Sequence, residues 1–575
     1  MIFKSNILRA RTGWPAGLLL AVILGGTAVQ ADEKKPRLPK SPPADNVKII
    51  PDAWKNGPQT PATSAEIDQL LATLLAKDNI PTAPLTTDEQ FLRRATIDLT
   101  GHLPVPADVD EFVADVDPLK RAKVVDRLLD SEEYARHWAR YWRDVMLSKA
   151  TAQQIFLRAP RTIGLEAWLF DQLKANRNWG DIAREIITAT GTLSLENPAA
   201  SGAAGFLAAH FGPDASNERA ADTARVFLGM QIQCAQCHDH PFDVWKRNQF
   251  HEMAAFFSRT RERRFGMGQQ AGITITSANA GEHKMPSLDD PKKSTTVHPR
   301  FLLGGTIAQD QGDMDRRKTL ADFVTSQDNY WFAAAYVNRI WGDLMGQAFY
   351  QPVDDMGPQK DAFLPELLVR LALSFKAGNY DTKALFRLVM NSETYQRQIR
   401  LGDSTGQHMH FAASYPTRLR ADALWESLVN VLGAIKDPAR PQGARPGQQG
   451  AAAMAFFRGF ATTEGQFKRE FGFDPSTRPD EVEGSIPQTL LLMNHPVIND
   501  KIKAKDTNLL SRILKSYPED KEALRILYLR TLARKPTDRE LEKCQNYLAK
   551  VGNRTEAFED LLWALVNSTE FQTKR

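Results

Sequence analysis

Apolar residues recur at helical spacing through most of the sequence, beginning near Ser64. The stretch SAEIDQLLATLLAK opens with a serine suited to capping a helix and places apolar residues on one face, which are Ile67, Leu70, Leu71, Leu74 and Leu75. The stretch RAKVVDRLLDSEEYARHWARYWRDVML adds an aromatic stripe typical of a packed core. The chain has three cysteines in 575 residues, too few for a disulfide framework, and Cys544 is expected to be a single buried thiol. The fold must therefore rest on apolar surface buried between helices.

One region departs from the helical pattern. Residues 265–307 contain the alternating stretch GITITSA and the segment HPRFLLGGTI, with Gly, Pro and Lys between them, which predicts a small β-rich insertion. A chain of 575 residues is too long for one hydrophobic core. We therefore expect a mainly α protein with two helical domains, residues 64–264 and 308–575, and the β-rich insertion between them.

The N-terminus predicts export from the cytoplasm. Lys4, Arg9 and Arg11 precede the apolar run GLLLAVILGG, and small residues follow up to Ala31. This order is typical of a cleaved signal peptide over residues 1–31, with a retained membrane anchor as the alternative. Residues 32–63 are rich in Pro and Lys, as in a linker. We expect a periplasmic or secreted protein.

The charge of the chain gives no support for binding to nucleic acid. Loss of residues 1–31 would remove three positive charges and no acidic residue, so the formal net charge would fall from +4 to +1. A nearly balanced chain lacks the basic surplus that attracts a polyanion. No later stretch approaches the roughly 20 apolar residues that a transmembrane helix needs. We expect no nucleic-acid partner and no membrane span after signal removal.

Three short segments share one design. VVDRLLDSEEY (124–134), LFRLVMNSETY (385–395) and LLWALVNSTEF (561–571) each follow an apolar helical stripe with Asp or Asn, then Ser, an acidic residue and an aromatic residue. The polar residues can end one helix and cap the next, and the aromatic ring can pack back on the stripe. Related modules at the two ends of the chain would explain the pattern, and chance similarity between amphipathic helices is the alternative.

Two of the three cysteines lie in the stretch RVFLGMQIQCAQCHDHPFDVW, as Cys234-x-x-Cys237-His238. This spacing is the attachment signature of c-type haem. We interpret the preceding residues as a helix capped by Ser216 that runs into Cys234 and holds both cysteines on one side. Two thioether bonds to one porphyrin edge need that geometry, and His238 would ligate the iron through a ring nitrogen.

Other interpretations of this motif remain open. Zinc or another metal would use Cys234 and Cys237 with one or two of the histidines His238, His240 and His251, in tetrahedral geometry. Alternatively, the two cysteines form a disulfide, or both are ordinary buried thiols.

The motif does not specify a second axial ligand for a haem iron. His240 follows His238 closely and precedes Pro241, so we do not expect it to reach the opposite face. The remaining candidates are Met230, Met253, Met267, His210 and His251. An open position would favour small-molecule or redox chemistry, whereas a Met or a second His would favour electron transfer.

Longer segments give the chain a family resemblance. FLRRATIDLTGHLPVPADVDEF, LLDSEEYARHWARYWRD and ARVFLGMQIQCAQCHDHPFDVW resemble the planctomycete cytochrome-like domain of planctomycete-type secreted proteins. YWFAAAYVNRIWGDLMGQAFYQPVDDMG, YDTKALFRLVMNSETYQRQ and LYLRTLARKPTDRELEKC resemble the planctomycete secreted domain that follows it in this family. Both domains are of unknown function, and the matching segments cover nearly everything after residue 64.

The resemblance implies export and places the central family motif on Cys234, Cys237 and His238, with His240 in the strip that follows. In the second domain, the residues that match the family pattern are Asn338, Arg339, Trp341, Pro352, Asp354 and Asp355. Leu364 stands where relatives usually have His, so a site that depends on that His is in doubt here. Members are often encoded beside sulfatase-like secreted proteins, which implies an association with polysaccharide-degradation machinery.

Two functions of different class follow from these features. The first is an exported c-type cytochrome-like protein with one covalent haem c, acting in electron transfer or redox chemistry with an unidentified partner. The second is a non-catalytic extracellular scaffold or glycan-associated protein whose Cys/His cluster holds a structural metal or a disulfide. The second domain contains no pattern that indicates catalysis, so whether the protein is an enzyme is left open.

Overall fold

The computed structural model describes residues 48–147, 159–194, 200–266, 272–290, 292–308, 310–400, 411–435, 462–505 and 508–574, and these residues are mainly helical. The mainly α fold predicted from the sequence is confirmed. The helices up to the β-rich region are α1 (Asp52–Asn56), α2 (Ser64–Lys77), α3 (Asp88–Thr100), α4 (Pro106–Ala114), α5 (Lys120–Leu129), α6 (Glu132–Leu147), α7 (Ala159–Lys174), α8 (Trp179–Thr188), α9 (Ala204–Ala208), α10 (Ala215–Leu228) and α11 (Arg247–Ala254).

Helices resume after the β-rich region and continue to the end of the described chain. They are α12 (Asp313–Val324), α13 (Tyr330–Met345), α14 (Pro365–Ala377), α15 (Thr382–Met390), α16 (Glu393–Gln396), α17 (Ala421–Leu432), α18 (Thr463–Phe471), α19 (Ile486–Asn494), α20 (Pro496–Ile502), α21 (Leu509–Ser516), α22 (Asp520–Leu532), α23 (Asp538–Val551), α24 (Arg554–Val566) and α25 (Thr569–Gln572). Cys544 is buried on α23, as predicted.

The strands form two small antiparallel sheets. They are β1 (Gly191–Ser194), β2 (Thr260–Phe265), β3 (Gly272–Ser277), β4 (His283–Pro286) and β5 (Ser294–Val297). Strand β3 lies between β1 and β2, and β4 pairs with β5. The alternation in GITITS is confirmed, because Ile273 and Ile275 are buried while the threonines beside them are not.

The β-rich region is larger than the predicted range 265–307. It begins at Thr260, and β1 joins it from upstream with Gly191 opposite Ile275. The segment HPRFLLGGTI forms a turn closed by a bridge between Arg300 and Thr306. Local alternation cannot reveal β1, since its four residues gain their strand conformation from a distant partner.

The two helical segments pack on each other through aromatic side chains. Trp142 of α6 stacks on Tyr336 of α13 with ring centroids 5.2 Å apart, and its ring centroid lies 4.2 Å from that of Trp179 in α8. All three rings are buried. Aromatic pairs of this kind stabilise a core beyond the area they bury. The described residues therefore form one compact unit in which both helical segments contribute to a shared core.

A buried ionic network joins the end of the chain to this core. Lys574 Nζ lies 2.9 Å from carboxylate oxygens of both Asp98 and Asp343. The hydroxyl of Tyr395 donates to the other oxygen of Asp98 at 2.8 Å. Burial acts to lower the pKa of Lys574, but Asp343 and Asp98 together raise it above its ordinary value. Removal of one partner would leave a buried charge uncompensated, so the network holds α3, α13 and the last residues together.

The three similar segments share the same local structure. In each, a serine Oγ donates to the carbonyl oxygen three residues earlier and accepts the backbone N–H three residues later, and these serines are Ser131, Ser392 and Ser568. The aromatic residues that follow them, Tyr134, Tyr395 and Phe571, are buried. The predicted capping and packing roles are confirmed.

Residues 48–63 belong to the segment interpreted as a linker, yet they pack against the helical core. Trp54 of α1 is buried, with its ring centroid 5.6 Å from that of Tyr330. Trp331 Nε1 donates to the carbonyl oxygen of Ile49 at 2.9 Å, and Arg370 donates to that of Thr60 at 2.9 Å. One large apolar side chain and these backbone contacts outweigh the polar composition of the segment.

Within the part of the chain that the structure describes, no helix is long and apolar enough to cross a membrane. The predicted signal peptide, residues 1–31, and the first part of the predicted linker lie outside the described residues.

We expect Trp54→Ala to lower the free energy of unfolding by about 3–5 kcal/mol, because it removes a buried indole and leaves a cavity beside Tyr330. The matched control is Lys55→Ala, an exposed position in the same helix, with an expected change below about 0.5 kcal/mol. Urea unfolding followed by far-UV circular dichroism measures both. Equal stability of the two variants would contradict the docking of α1.

Candidate functional site

The helix before the cysteine motif ends earlier than predicted. Helix α10 stops at Leu228, and Gly229 ends it with a left-handed φ of +70°. A Cβ atom at Gly229 would lie 2.4 Å from the sulfur of Met356, so this position favours glycine for two independent reasons. The residue that precedes α10 is Asp214, and the predicted cap Ser216 lies inside the helix. The cysteines therefore occupy a separate turn.

The motif turn, residues 233–238, begins as a 3₁₀ helix over Gln233–Gln236. Because a 3₁₀ helix has three residues per turn, side chains three positions apart lie on the same side. Cys234 and Cys237 have this spacing, and both are exposed free thiols. The interpretation of this pair as buried thiols is therefore wrong. Cys237 directly follows the 3₁₀ helix, so this spacing favours a common side for the two thiols without an α-helix.

His238 is exposed directly beside the two thiols. Its Nδ1 lies 2.7 Å from the carbonyl oxygen of Asp239. A carbonyl oxygen only accepts, so Nδ1 carries the proton and Nε2 keeps its lone pair. Histidine ligands of metals are commonly oriented by a backbone carbonyl in this way. The residues of the motif turn therefore fit a covalently held haem, with two exposed thiols three positions apart and an imidazole nitrogen available for the iron.

His240 is held inside the loop by hydrogen bonds to both ring nitrogens. Nε2 donates to the carbonyl oxygen of Gln231 at 3.1 Å, and Nδ1 accepts the N–H of Phe242 at 3.2 Å. Its backbone N–H donates to the carbonyl oxygen of Trp245 at 2.8 Å. Burial lowers the pKa of His240, which keeps the ring neutral. A metal ligated by His240 would have to replace one of the two ring hydrogen bonds.

The alternative metal site proposed from the sequence has no preformed cluster. Among the described residues, no three or more His, Cys, Asp or Glu side chains are grouped so that they could hold a metal ion.

Two family models match the chain. PSCyt2, described as a protein of unknown function (DUF1549), matches residues 66–262, and PSD1, described as a protein of unknown function (DUF1553), matches residues 316–548. The chain belongs to the family that joins these two domains. The resemblance stated from the sequence is thus confirmed, and the predicted β-rich insertion lies between the two matches. No curated protein and no solved structure matches the chain.

Most of the other candidate iron ligands in the PSCyt2 domain are buried in the core or already paired with carboxylates. Met230 and Met253 are completely buried in the core. His210 is buried between two carboxylates, with Nε2 at 2.7 Å from Asp222 and Nδ1 at 3.1 Å from Glu218. Met267 lies outside the described residues.

His251 is part of a chain of hydrogen bonds that ends at the motif turn. Its Nε2 donates to the carbonyl oxygen of Gln236 at 3.1 Å, so its Nδ1 accepts from His283 Nε2 at 2.8 Å. His283 Nδ1 lies 3.5 Å from Ser216 Oγ, a long hydrogen bond. Burial lowers the pKa of both rings, that of His283 to about 4 with a contribution from His251. Two neutral histidines thus support the backbone of the motif turn from behind.

An open cleft of about 770 Å³ lies beside Cys237. The start of α10, helix α11 and strands β2 and β4 form its walls. Its lining combines apolar surface with polar and charged side chains, among them Arg219, Arg247, Glu262 and Lys284. A group attached at Cys237 would therefore border a solvent-accessible cleft rather than a sealed apolar pocket.

A loop of the PSD1 domain clamps the residues that lead into the motif turn. The backbone N–H of Met356 donates to the carbonyl oxygen of Gly229 at 2.8 Å, and Gln231 Nε2 donates to Asp354 Oδ1 at 2.8 Å. Asp354 is buried, with Arg225 Nη1 at 3.7 Å from its Oδ2. Sequence reasoning missed this role, because the two sides of the contact lie far apart along the chain.

Adjacent Asp354 and Asp355 point to different partners, as their consecutive positions predict. Asp355 forms an ion pair with Lys360 at 2.9 Å, whereas Asp354 faces the PSCyt2 domain. The structure therefore does not arrange them as a facing acid–base pair of the kind that glycoside hydrolysis needs.

Asp243 forms a second contact between the two domains. Its Oδ1 accepts the N–H of Val244 at 2.7 Å, and Gly357 approaches so closely that a Cβ there would lie 1.7 Å from Oδ2. Burial raises the pKa of Asp243 to about 6. Glycine is therefore needed at position 357, where a loop of the PSD1 domain packs against Asp243 in the loop that follows the motif turn.

Acid should destabilise the protein through His283. Its pKa is about 4 when folded against an ordinary 6.5, so the unfolded chain takes up the proton first as the pH falls. The stability that neutral His283 contributes is complete above pH 6.5 and is lost between pH 6.5 and pH 4, by about 3 kcal/mol. Urea unfolding at pH 7, 5.5 and 4 should show a shallower loss of stability in His283→Gln than in the original protein.

The control for this measurement is Thr295→Ala, which changes an exposed residue of β5 that carries no titratable group and should reproduce the pH dependence of the original protein. Parallel stability curves for the original protein and His283→Gln would show that His283 is not the group responsible.

Proposed function

We propose that this PSCyt2–PSD1 protein is an exported c-type cytochrome-like protein that carries one covalently attached haem and acts in electron transfer or another redox role. One observation carries the proposal: Cys234 and Cys237 are exposed three positions apart in one turn, directly before an exposed His238 whose Nδ1 is held by a backbone carbonyl.

Each residue of the motif turn has a separate part in holding the group. The sulfur atoms of Cys234 and Cys237 would hold the porphyrin through thioether bonds, and His238 Nε2 would ligate the iron. When bound, the haem supplies one-electron redox chemistry. The carbonyl of Asp239 fixes the ring orientation of His238 and makes Nε2 a stronger donor to a metal.

The surroundings of the turn define how a partner would reach it. His251 supports the carbonyl of Gln236, and Asp354 supports Gln231, so the turn is fixed on both sides. The exposed thiols and the adjoining cleft support a surface position for the attached group. Surface exposure suits exchange of electrons with a protein partner.

The location proposed for the protein is the periplasm or the extracellular space. The predicted signal peptide supports it, since covalent haem attachment takes place outside the cytoplasm. An association with polysaccharide-degradation machinery is proposed on the resemblance alone.

A second candidate function is an extracellular scaffold or glycan-associated protein with a Cys234–Cys237 disulfide. The observation that favours it is that both thiols are exposed and lie three positions apart in one turn, where an oxidising compartment would readily join them.

Expression of the full chain, with its own N-terminus, in a host competent in cytochrome maturation should give a covalently pigmented protein. We expect an intact mass increased by one haem after denaturation, and a sharp visible band in the reduced-minus-oxidised spectrum. The double variant Cys234→Ser/Cys237→Ser should lose both signals, because it removes both attachment atoms.

The matched control is Cys544→Ser, which changes the buried third cysteine and should keep the covalent pigment. A wild-type protein that lacks the added mass, made beside a reference cytochrome that matures normally, would overturn the haem proposal. The loss of two hydrogen atoms from the intact mass would then support the disulfide-bearing scaffold.

A further inference from the structure

A narrow cavity of about 60 Å³, enough for a group of a few atoms, lies in the PSD1 domain, at a distance in sequence from the cysteine motif. Its walls are α13, the segment 417–420 and the loop 473–479, with Tyr141 of α6 and Lys574 closing it. Five of its lining side chains are cationic and one, Asp343, is acidic. This surplus of positive charge is the first sign of an anionic ligand.

Two of the cations are neutralised within the protein. Arg420 forms two hydrogen bonds with Asp422, at 3.1 and 2.6 Å. Lys574 is paired with Asp98 and Asp343, both at 2.9 Å. These residues shape the cavity but need no further counter-ion.

Arg418 lacks such a carboxylate, and the ion pair of Arg339 with Asp354 is long. Arg339 is buried, donates to Ser476 Oγ at 3.1 Å, and approaches Asp354 only to 4.0 Å. Arg418 donates to the amide oxygen of Gln488 at 3.3 Å, and no carboxylate among the described residues lies within 4.0 Å of its guanidinium. A shielded guanidinium paired mainly with neutral groups leaves charge that an anion would compensate.

One residue that lines the cavity, Thr417, has a hydroxyl group without a hydrogen-bond partner among the described residues. Its Oγ1 atom is buried. Buried polar atoms without a partner are rare in native proteins, and a bound ligand or water is a common reason. Thr417 is the sequence neighbour of Arg418, so one short segment supplies a donor and a charge to the same space.

Close packing fixes the orientation of Arg418. A Cβ atom at Gly484 would lie 2.2 Å from Arg418 Nη2, so the guanidinium lies directly against the backbone at that position. A guanidinium held in one orientation loses little conformational freedom when it binds an oxyanion.

We propose that this cavity binds an oxyanion, a carboxylate or sulfate group of a small polar molecule, between the guanidinium groups of Arg339 and Arg418 with Thr417 Oγ1 as a hydrogen-bond donor. Planar guanidinium groups bind such oxyanions through paired N–H donors. This site is independent of the haem proposal, since none of its residues belongs to the motif turn.

Isothermal titration calorimetry of the full chain at constant ionic strength tests the proposal, with sodium sulfate and sodium glucuronate as probes and glucose as the neutral comparison. We expect saturable binding of at least one anion and none of glucose. Arg418→Gln should weaken binding about tenfold or more, since it removes a charged hydrogen-bonding partner worth about 1.5–3 kcal/mol. Thr417→Val, which keeps the side-chain shape, should weaken binding by a smaller factor.

The matched control is Arg263→Gln, which removes an exposed arginine of β2 and should leave the affinity unchanged. Circular dichroism and thermal melting establish that each variant is folded. Binding of sulfate alone or of glucuronate alone would support the site and assign the type of anionic group. The absence of saturable binding, or equal affinity in the original protein and Arg418→Gln, would overturn it.

The double variant Cys234→Ser/Cys237→Ser should bind the anion as the original protein does. Its affinity therefore separates a failure of this proposal from a failure of the haem proposal.

Discussion

The buried carboxylate of Asp354 is the contact on which the arrangement of the candidate site depends. It accepts a hydrogen bond from Gln231 and lies between the guanidinium groups of Arg225 and Arg339, at 3.7 and 4.0 Å. A charge in this position is tolerated only because several donors surround it. Since Gln231 lies two residues before the motif turn begins, a PSD1 residue helps to position a PSCyt2 motif. This contact gives a physical reason for the two domains to occur in one chain.

The histidines near the motif differ in function because their hydrogen bonds differ. His238 has one ring nitrogen held and the other available. His240 uses both ring nitrogens on backbone groups, and His251 uses one on the carbonyl oxygen of Gln236 and the other on the ring of His283. Only His238 is therefore prepared to ligate a metal without rearrangement of the loop. A dense set of Cys and His residues in a sequence can thus contain one ligand and several structural residues.

Arg339 connects the motif region with the proposed oxyanion cavity. One of its nitrogens approaches Asp354, and another donates to Ser476 in the cavity wall. The same buried cation therefore helps to hold the carboxylate beneath the motif turn and lines the cavity for an external anion. The two proposed sites share this part of the protein core while using separate binding residues.

Local features of the sequence determined much of this protein. The apolar periodicity predicted a mainly α fold. The serines of the three similar segments cap the helices that follow them, as their pattern indicates; these are Ser131, Ser392 and Ser568. The spacing of Cys234 and Cys237 favours one side of a turn for both. The early end of α10 also has a local signal, Gly229, which sequence reasoning passed over.

Only the tertiary structure decided that Trp54 packs into the core and that β1 pairs with β3. It also decided that the ring of His240 is hydrogen-bonded to the backbone and that Asp354 accepts a hydrogen bond from Gln231. The reason is physical: periodicity, capping and turn geometry act over a few residues, whereas these contacts join groups that come together only when distant segments pack.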